Sequence, residues 1–204
     1  MPTKKDHLLL LFKEIQLGNS NAFDEFFLRY YEKLVSFAMQ YTKQMESAEE
    51  ITSELLVKIW LKRAALYKVT NPEVYLFVSI KNACLNWLRS DKKKNTLFVA
   101  HQDELPLMPQ SGQLEEKELI RILDLCVAAL PEQRRMIFRL IKEQGLKRQE
   151  VAEILGLSIR TVENQLHQAL ISLADAISGY LGYNPRKRKI RTETLSDLSA
   201  IFFL

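Results

Sequence analysis

The chain has 204 residues, 47% of them hydrophobic, with 29 Lys plus Arg against 25 Asp plus Glu. That length supports a hydrophobic core without disulfide staples and fits one ordinary domain or two small ones. Five of the bases (Arg186, Lys187, Arg188, Lys189 and Arg191) cluster near the C-terminus, and without them 24 bases face 25 acids, so the net charge of +4 does not by itself imply a nucleic-acid surface.

The first apolar run, Leu8–Phe12, is far shorter than the roughly 20 residues of a membrane span. Lys13 and Glu14 end it before a signal-peptide core forms. Helical periodicity then dominates, and the few Gly and Pro stand where helices start or stop. A first helix covers about Leu8–Leu17 and stops at Gly18-Asn19. Asn21–Thr42 follows, rich in aromatics. Ser47 with Glu50 three residues on forms a candidate capping box for the next helix. The apolar positions of that helix (Ala48, Ile51, Leu55, Leu56, Ile59 and Trp60) make one stripe. Asn71-Pro72 opens a fourth helix to about Arg89. Cys84 and Cys126 sit inside apolar-periodic segments and read as buried small hydrophobes, a redox pair being the alternative.

Composition changes after residue 95. Residues 96–113 read as a linker, and the charges from 95 to 118 (Asp103, Glu104, Glu115, Glu116 and Glu118 against Lys117) sum to −4. Helices resume at Leu114–Leu130, Pro131–Gln144, Arg148–Leu155 and Ile159–Ser178. The expected architecture is all-α, with small helical domains at 1–95 and 114–183. A basic and apolar tail covers 184–204, where Leu195, Leu198 and Phe202 share a helical face that suits docking on the second domain or on a regulator.

The segment Leu146–Ala169, LKRQEVAEILGLSIRTVENQLHQA, has the pattern of a helix-turn-helix. Val151, Ala152 and Leu155 point inward, and Gly156 supplies a tight turn that needs left-handed backbone angles. Leu157 plugs the angle, and Ser158 is a good N-cap; Lys147 is a poor one for the first helix. Val162, Leu166, Ala169, Leu170 and Leu173 form the buried stripe of the second helix. Arg160, Asn164 and His167 fall opposite them, flanked by Thr161, Glu163 and Gln168. Such side chains suit base edges: Arg for guanine, Asn or Gln for adenine, Glu for cytosine. Ser158, at the head of that helix, belongs to the same candidate surface. Arg134, Arg135, Arg139, Lys147 and Arg148 put positive charge where phosphate contacts are expected. A solvated basic face on a structural helical hairpin is the alternative.

Ala22–Ala38, Ser47–Trp60 and Glu73–Lys92 resemble, in order, regions 2.1, 2.2 and 2.3–2.4 of the extracytoplasmic-function (ECF) sigma factors. The helix-turn-helix resembles their region 4.2, and the resemblance runs over about residues 8–182. Glu50, Ser53 and Leu56 stand where that family commonly has Asp, Gln and Phe, and Asn86 stands where Asp is frequent. The resemblance implies a transcription initiation factor rather than an enzyme, acting in the cytoplasm without a cofactor. Glu49, Glu50, Ser53, Glu54 and Lys58 would dock on core RNA polymerase. Lys81, Asn82, Asn86, Arg89, Lys92 and Lys93 would hold the opened −10 strand of promoter DNA. Phe77 and Trp87 read as core before stacking platforms. The acidic linker would follow a nucleic-acid path through the polymerase, or serve as a plain tether. An anti-sigma factor is a further implied partner; stable membrane insertion is not expected.

No metal site or catalytic constellation is expected, since His7, His101 and His167 lie far apart without ligand spacing. The rival readings are a stand-alone LuxR-like helix-turn-helix regulator and a helical adaptor that binds only protein. The first of these leaves the Ser47–Lys94 segment without a role.

Overall fold

The computed structural model describes residues 4–94 and 116–180. The expected linker at 96–113 and the tail at 184–204 lie outside the described residues. Among those described there are eight α-helices, one 3-10 helix and no strand. Two compact units result, the first holding the N-terminal helices and the second most of the C-terminal ones.

The first unit comprises α1 (Lys4–Gln16), α2 (Ser20–Thr42), α3 (Met45–Leu61), a 3-10 helix (Arg63–Lys68) and α4 (Pro72–Lys94). Gly18 and Asn19 both end α1 and start α2. Gly18 has φ +88°, a region that penalises any Cβ. Its N–H reaches the Ile15 carbonyl at 2.9 Å while that of Asn19 reaches Glu14 at 3.1 Å, the paired bonds of a Schellman stop. The Asn19 side chain then accepts from the Ala22 N–H at 3.3 Å, capping α2. At the other end of the unit, Asn71 caps α4 through the Val74 N–H at 3.3 Å, and Pro72 occupies the first turn as its spacing predicts.

The capping box expected at Ser47 does not form. α3 begins two residues earlier, and Ser47 Oγ instead donates to the Gln44 side chain at 3.1 Å. The Thr42 hydroxyl orders that turn by donating to the Gln44 carbonyl at 3.0 Å and accepting from its N–H. Two such bonds close to the chain path leave Ser47 inside the helix rather than ahead of it.

α2 packs on α1, α3 and α4. Its aromatics form the centre: Phe12 meets Phe26 edge-on with ring centroids 5.5 Å apart, and Phe37 meets Phe77 at 5.2 Å. Such pairs add to the burial that drives the unit together. Ala48, Ile51, Leu55, Leu56 and Ile59 are buried as the α3 stripe predicts. Trp60 is half-buried between Phe23, at 5.0 Å, and the Arg63 guanidinium, at 4.7 Å. The Tyr30 hydroxyl donates to the buried carboxylate of Glu73 at 3.5 Å, tying α2 to the first turn of α4. Burial and that neighbouring charge push the Tyr30 phenol well above its ordinary pKa. Cys84 is buried and unpaired, with its thiol pushed up to about 11 by burial.

The second unit contains α5 (Glu116–Ala128), α6 (Glu132–Lys142), α8 (Ile159–Tyr180) and, up to Ala152, α7 (Arg148–Leu155). α8 is the long element, and both α5 and α6 pack on it. Met136, Ile137, Phe138 and Leu140 of α6 and Val162, Leu166, Ala169 and Leu173 of α8 are buried; Leu170 is half-buried. Cys126 of α5 is likewise buried and free.

Candidate nucleic-acid interface

α7, Gly156 and α8 form the expected helix-turn-helix. Gly156 takes φ +71°, and the Leu157 N–H closes the turn on the Ala152 carbonyl at 2.9 Å. Val151 and Ala152 are buried, while Leu155 and Leu157 are half-buried. The weak capping expected at Lys147 is offset from the far side of the turn: the Glu150 carboxylate accepts from the Lys147 N–H at 2.8 Å. This is the second half of a capping box, supplied without the first. Ser158 caps α8 through the Thr161 N–H at 3.0 Å.

Arg160, Asn164, His167 and Gln168 are all exposed, on the face of α8 opposite its buried row. The structure brings these four together as one polar surface of donors and acceptors. Ser158 and Thr161 contribute less to it than expected. Their hydroxyls bond each other at 2.8 Å, and Thr161 is half-buried. Glu163 is exposed, but its carboxylate lies 3.7 Å from the Arg148 guanidinium of α7.

The five cations expected at phosphates divide by surroundings. Lys147 and Arg148 are exposed at the start of α7, whereas Arg134, Arg135 and Arg139 are half-buried. Arg134 Nε donates to the Gln165 side chain at 3.2 Å. Arg135 Nη1 donates to the Ala128 carbonyl at 2.5 Å, satisfying the C-terminus of α5. Arg139 Nε pairs with Glu143 at 3.5 Å. Burial raises the Glu143 carboxyl pKa against the pull of Arg139.

On α4, Asn82, Asn86 and Arg89 are exposed along one face, and Arg89 donates to the Asn86 side chain at 3.0 Å. Lys81 is half-buried. Lys92 and Lys93 lie in the last turn of α4, beyond the residues whose side chains are described. Phe77 is core, as expected, and Trp87 is half-buried. Sequence reasoning missed Tyr67. It is 66% exposed in the 3-10 helix, with Lys68 Nζ 5.5 Å from its ring centroid. An aromatic face beside a cation suits an unstacked base, but a six-residue 3-10 helix offers too short a pattern to reveal it.

The outer face of α3 carries Glu50, Ser53, Glu54 and Lys58 exposed, with Glu49 half-buried. Two apolar side chains complete it, Val57 at 57% and Leu61 at 71% exposure. Among the described residues no cluster of His, Cys, Asp or Glu could hold a metal ion, and no helix is long and apolar enough to cross a membrane.

Two family models match, "Sigma-70 region 2" over residues 26–94 and "Sigma-70, region 4" over 120–173. A probable RNA polymerase sigma factor, RfaY, of Xanthomonas campestris is 26% identical over 142 residues. That match covers 67% of this chain but only 35% of the relative, so the chain spans about a third of that protein's length. RNA polymerase sigma factor YlaC of Bacillus subtilis is 22% identical over 77% of this chain and 92% of its own. The sigma factor RpoE of Bartonella quintana, solved in complex with the anti-sigma factor NepR, shares the fold with a TM-score of 0.52 at 21% identity, over 76% of this chain and 96% of that one. The region 2 match gives the N-terminal unit a place that a stand-alone helix-turn-helix regulator leaves empty. With regions 2 and 4 matched in order over more than half its length, the chain belongs to the sigma-70 family, as an ECF-type sigma factor.

Proposed function

We propose that this sigma factor binds core RNA polymerase and directs promoter-specific initiation, with α8 in the major groove of the −35 element. The observation that carries the reading is the exposed face of Arg160, Asn164, His167 and Gln168 on a capped helix after a Gly156 turn. An α-helix fits the major groove, where Arg pairs with guanine O6 and N7 and Asn or Gln with adenine. Lys147 and Arg148 lie at the start of the preceding helix, a position suited to the flanking phosphates.

The first unit opens and holds the −10 strand. Asn82, Asn86 and Arg89 offer hydrogen bonds and charge along α4, Lys92 and Lys93 extend that charge, and Tyr67 offers a stacking face. α3 docks on the polymerase through a mixed surface: Val57 and Leu61 supply the apolar contact, while Glu49, Glu50, Ser53, Glu54 and Lys58 set orientation. The first domain spans 1–95 and the second 114–183. The acidic segment 96–113 joins them and follows a positively charged path as a polyanion. The protein performs no catalysis itself and works in the cytoplasm, where an anti-sigma protein is a fitting regulator.

Transcription with purified core polymerase and a promoter library randomised at the −35 and −10 elements tests this. Initiation at a defined subset of promoters, dependent on the added chain, is the expected outcome. Binding without core to a two-fold symmetric site, with no initiation, would overturn it.

A further inference from the structure

α8 is gripped on both flanks by arginines from the helices that precede it. With about 100° between successive residues, Asn164 marks the middle of the exposed face. Gln165 then lies about 100° to one side and Glu163 about 100° to the other, at the two borders between the exposed face and the buried row of Val162, Leu166 and Ala169. Each border residue is held by an arginine: Gln165 by Arg134 Nε from the first turn of α6 at 3.2 Å, and Glu163 by Arg148 from the start of α7 at 3.7 Å. The first bond is partly buried, between two half-buried side chains, while the second pair is open to solvent. Solvent screens an exposed pair and leaves it little energy, so the Arg134–Gln165 contact is the stronger constraint.

We infer that Arg134 is a positioning residue for promoter specificity: through Gln165 it fixes the roll of α8 and so aims Arg160, Asn164 and His167 at their bases. The apolar row of α8 resists separation of the helices but tolerates small rotations about the axis, because apolar contacts carry no direction. A hydrogen bond at the border is directional and resists them. At a helix radius of several ångströms a modest roll displaces the exposed side chains enough to spoil a bidentate base contact. Arg134 therefore departs from the phosphate role that its charge suggests. The inference rests on the −35 reading of α8, and the test separates the two.

Holoenzyme made from purified core and the full chain is measured on its selected promoter and on single-base −35 variants, as a function of salt. Gln165→Leu changes no charge, so it isolates the contact. The expected result is a drop of about tenfold in preference for the selected −35 base over its variants, the size of one good base contact, with the salt slope unchanged. Arg134→Met gives the same loss of preference, and the double variant loses no more than either single one. Gln165→Glu keeps an acceptor for Arg134 and retains the preference, with uniformly weaker binding. Were Arg134 a phosphate contact, Arg134→Met would weaken all promoters alike and make the slope of log K against log salt shallower by about 0.9. Gln165→Leu would then be silent, and that pattern overturns the inference. Unchanged preference in both variants, or loss in Gln165→Glu equal to that in Gln165→Leu, overturns it as well. Arg160→Ala is the separate control: if it leaves −35 preference intact, the placement of α8 has failed rather than the role of Arg134.

Discussion

Replacing Val57 and Leu61 by serine is expected to weaken polymerase binding while leaving the fold intact. Both side chains stand largely in water, 57% and 71% exposed on the outer face of α3, so their loss removes little from the core. Surface substitutions of this kind move stability by about 0.5 kcal/mol or less. Docking would bury them. Full burial of a Val or Leu side chain is worth about 1.5–3 kcal/mol, and scaling by the exposed fractions leaves about 1–2 kcal/mol for each. The pair then contributes about 2–4 kcal/mol, at least about 30-fold in the dissociation constant. The neighbouring charges are a weaker lever, because exposed ion pairs yield about 0–1 kcal/mol. Reversing Glu54 and Lys58 should therefore cost less than the two serines and should show a steeper salt dependence. Fluorescence anisotropy of the labelled chain titrated with core polymerase measures both, with thermal unfolding as the control. Equal core affinity for the serine variant and the parent, at matched melting temperature, refutes the apolar docking face. A larger loss from the charge reversal refutes the ranking of the two effects.

Arg160→Ala should cost about 1–3 kcal/mol at one −35 base position if the guanidinium pairs with that base, read as altered promoter choice in a competition transcription assay. Tyr30→Phe removes the hydroxyl that donates to Glu73 and should cost about 1–2 kcal/mol in denaturant unfolding. The same variant carries a pH signature. The folded state holds the Tyr30 proton above the ordinary phenol value of 10.0, whereas the unfolded chain releases it there. Stability from this group is complete below about pH 10 and declines as pH rises beyond it. Parent and phenylalanine variant should therefore converge in alkali, and parallel curves would count against the buried pair. Cys84 and Cys126, both buried with thiols raised by burial, should resist iodoacetamide in the native protein and react on unfolding; mass spectrometry of alkylated peptides decides this.

Helix ends made by local backbone chemistry were legible in the sequence. Gly18-Asn19, Asn71-Pro72 and Gly156-Leu157-Ser158 act within one turn of themselves, and the structure shows each as a stop, a cap or both. Ser47 misled because Thr42 and Gln44 organise the same turn from the other side, a competition that residue preferences do not rank. The exposed row of α8 was legible from period alone. The grip on its flanks was not, since Arg134 and Gln165 are 31 positions apart and meet only once α6 packs on α8. Val57 and Leu61 continue the spacing of Glu50, Ser53 and Glu54, yet an apolar residue in a helix reads as core until its neighbours are placed.

Charge shows the same divide between what composition states and what packing decides. Five cations ahead of and within the helix-turn-helix suggested five phosphate contacts. In the folded chain Arg135 satisfies the end of α5, Arg139 faces a carboxylate and Arg134 holds Gln165. Arg134, committed to the half-buried Gln165, must give up that bond, and leave the acceptor unsatisfied, before it can reach DNA; the Ala128 carbonyl and the Glu143 carboxylate are exposed, so Arg135 and Arg139 are tied less firmly. Lys147 has no such constraint at its exposed position, and Arg148 has only the solvent-screened Glu163. Under the proposed −35 reading the electrostatic footprint of this unit therefore centres on the start of α7, where Arg148 lies 3.7 Å from Glu163 of α8. Of the three arginines ahead of α7, Arg134 bonds to α8 through Gln165, and under the proposed −35 reading that bond acts on promoter choice through geometry rather than through attraction.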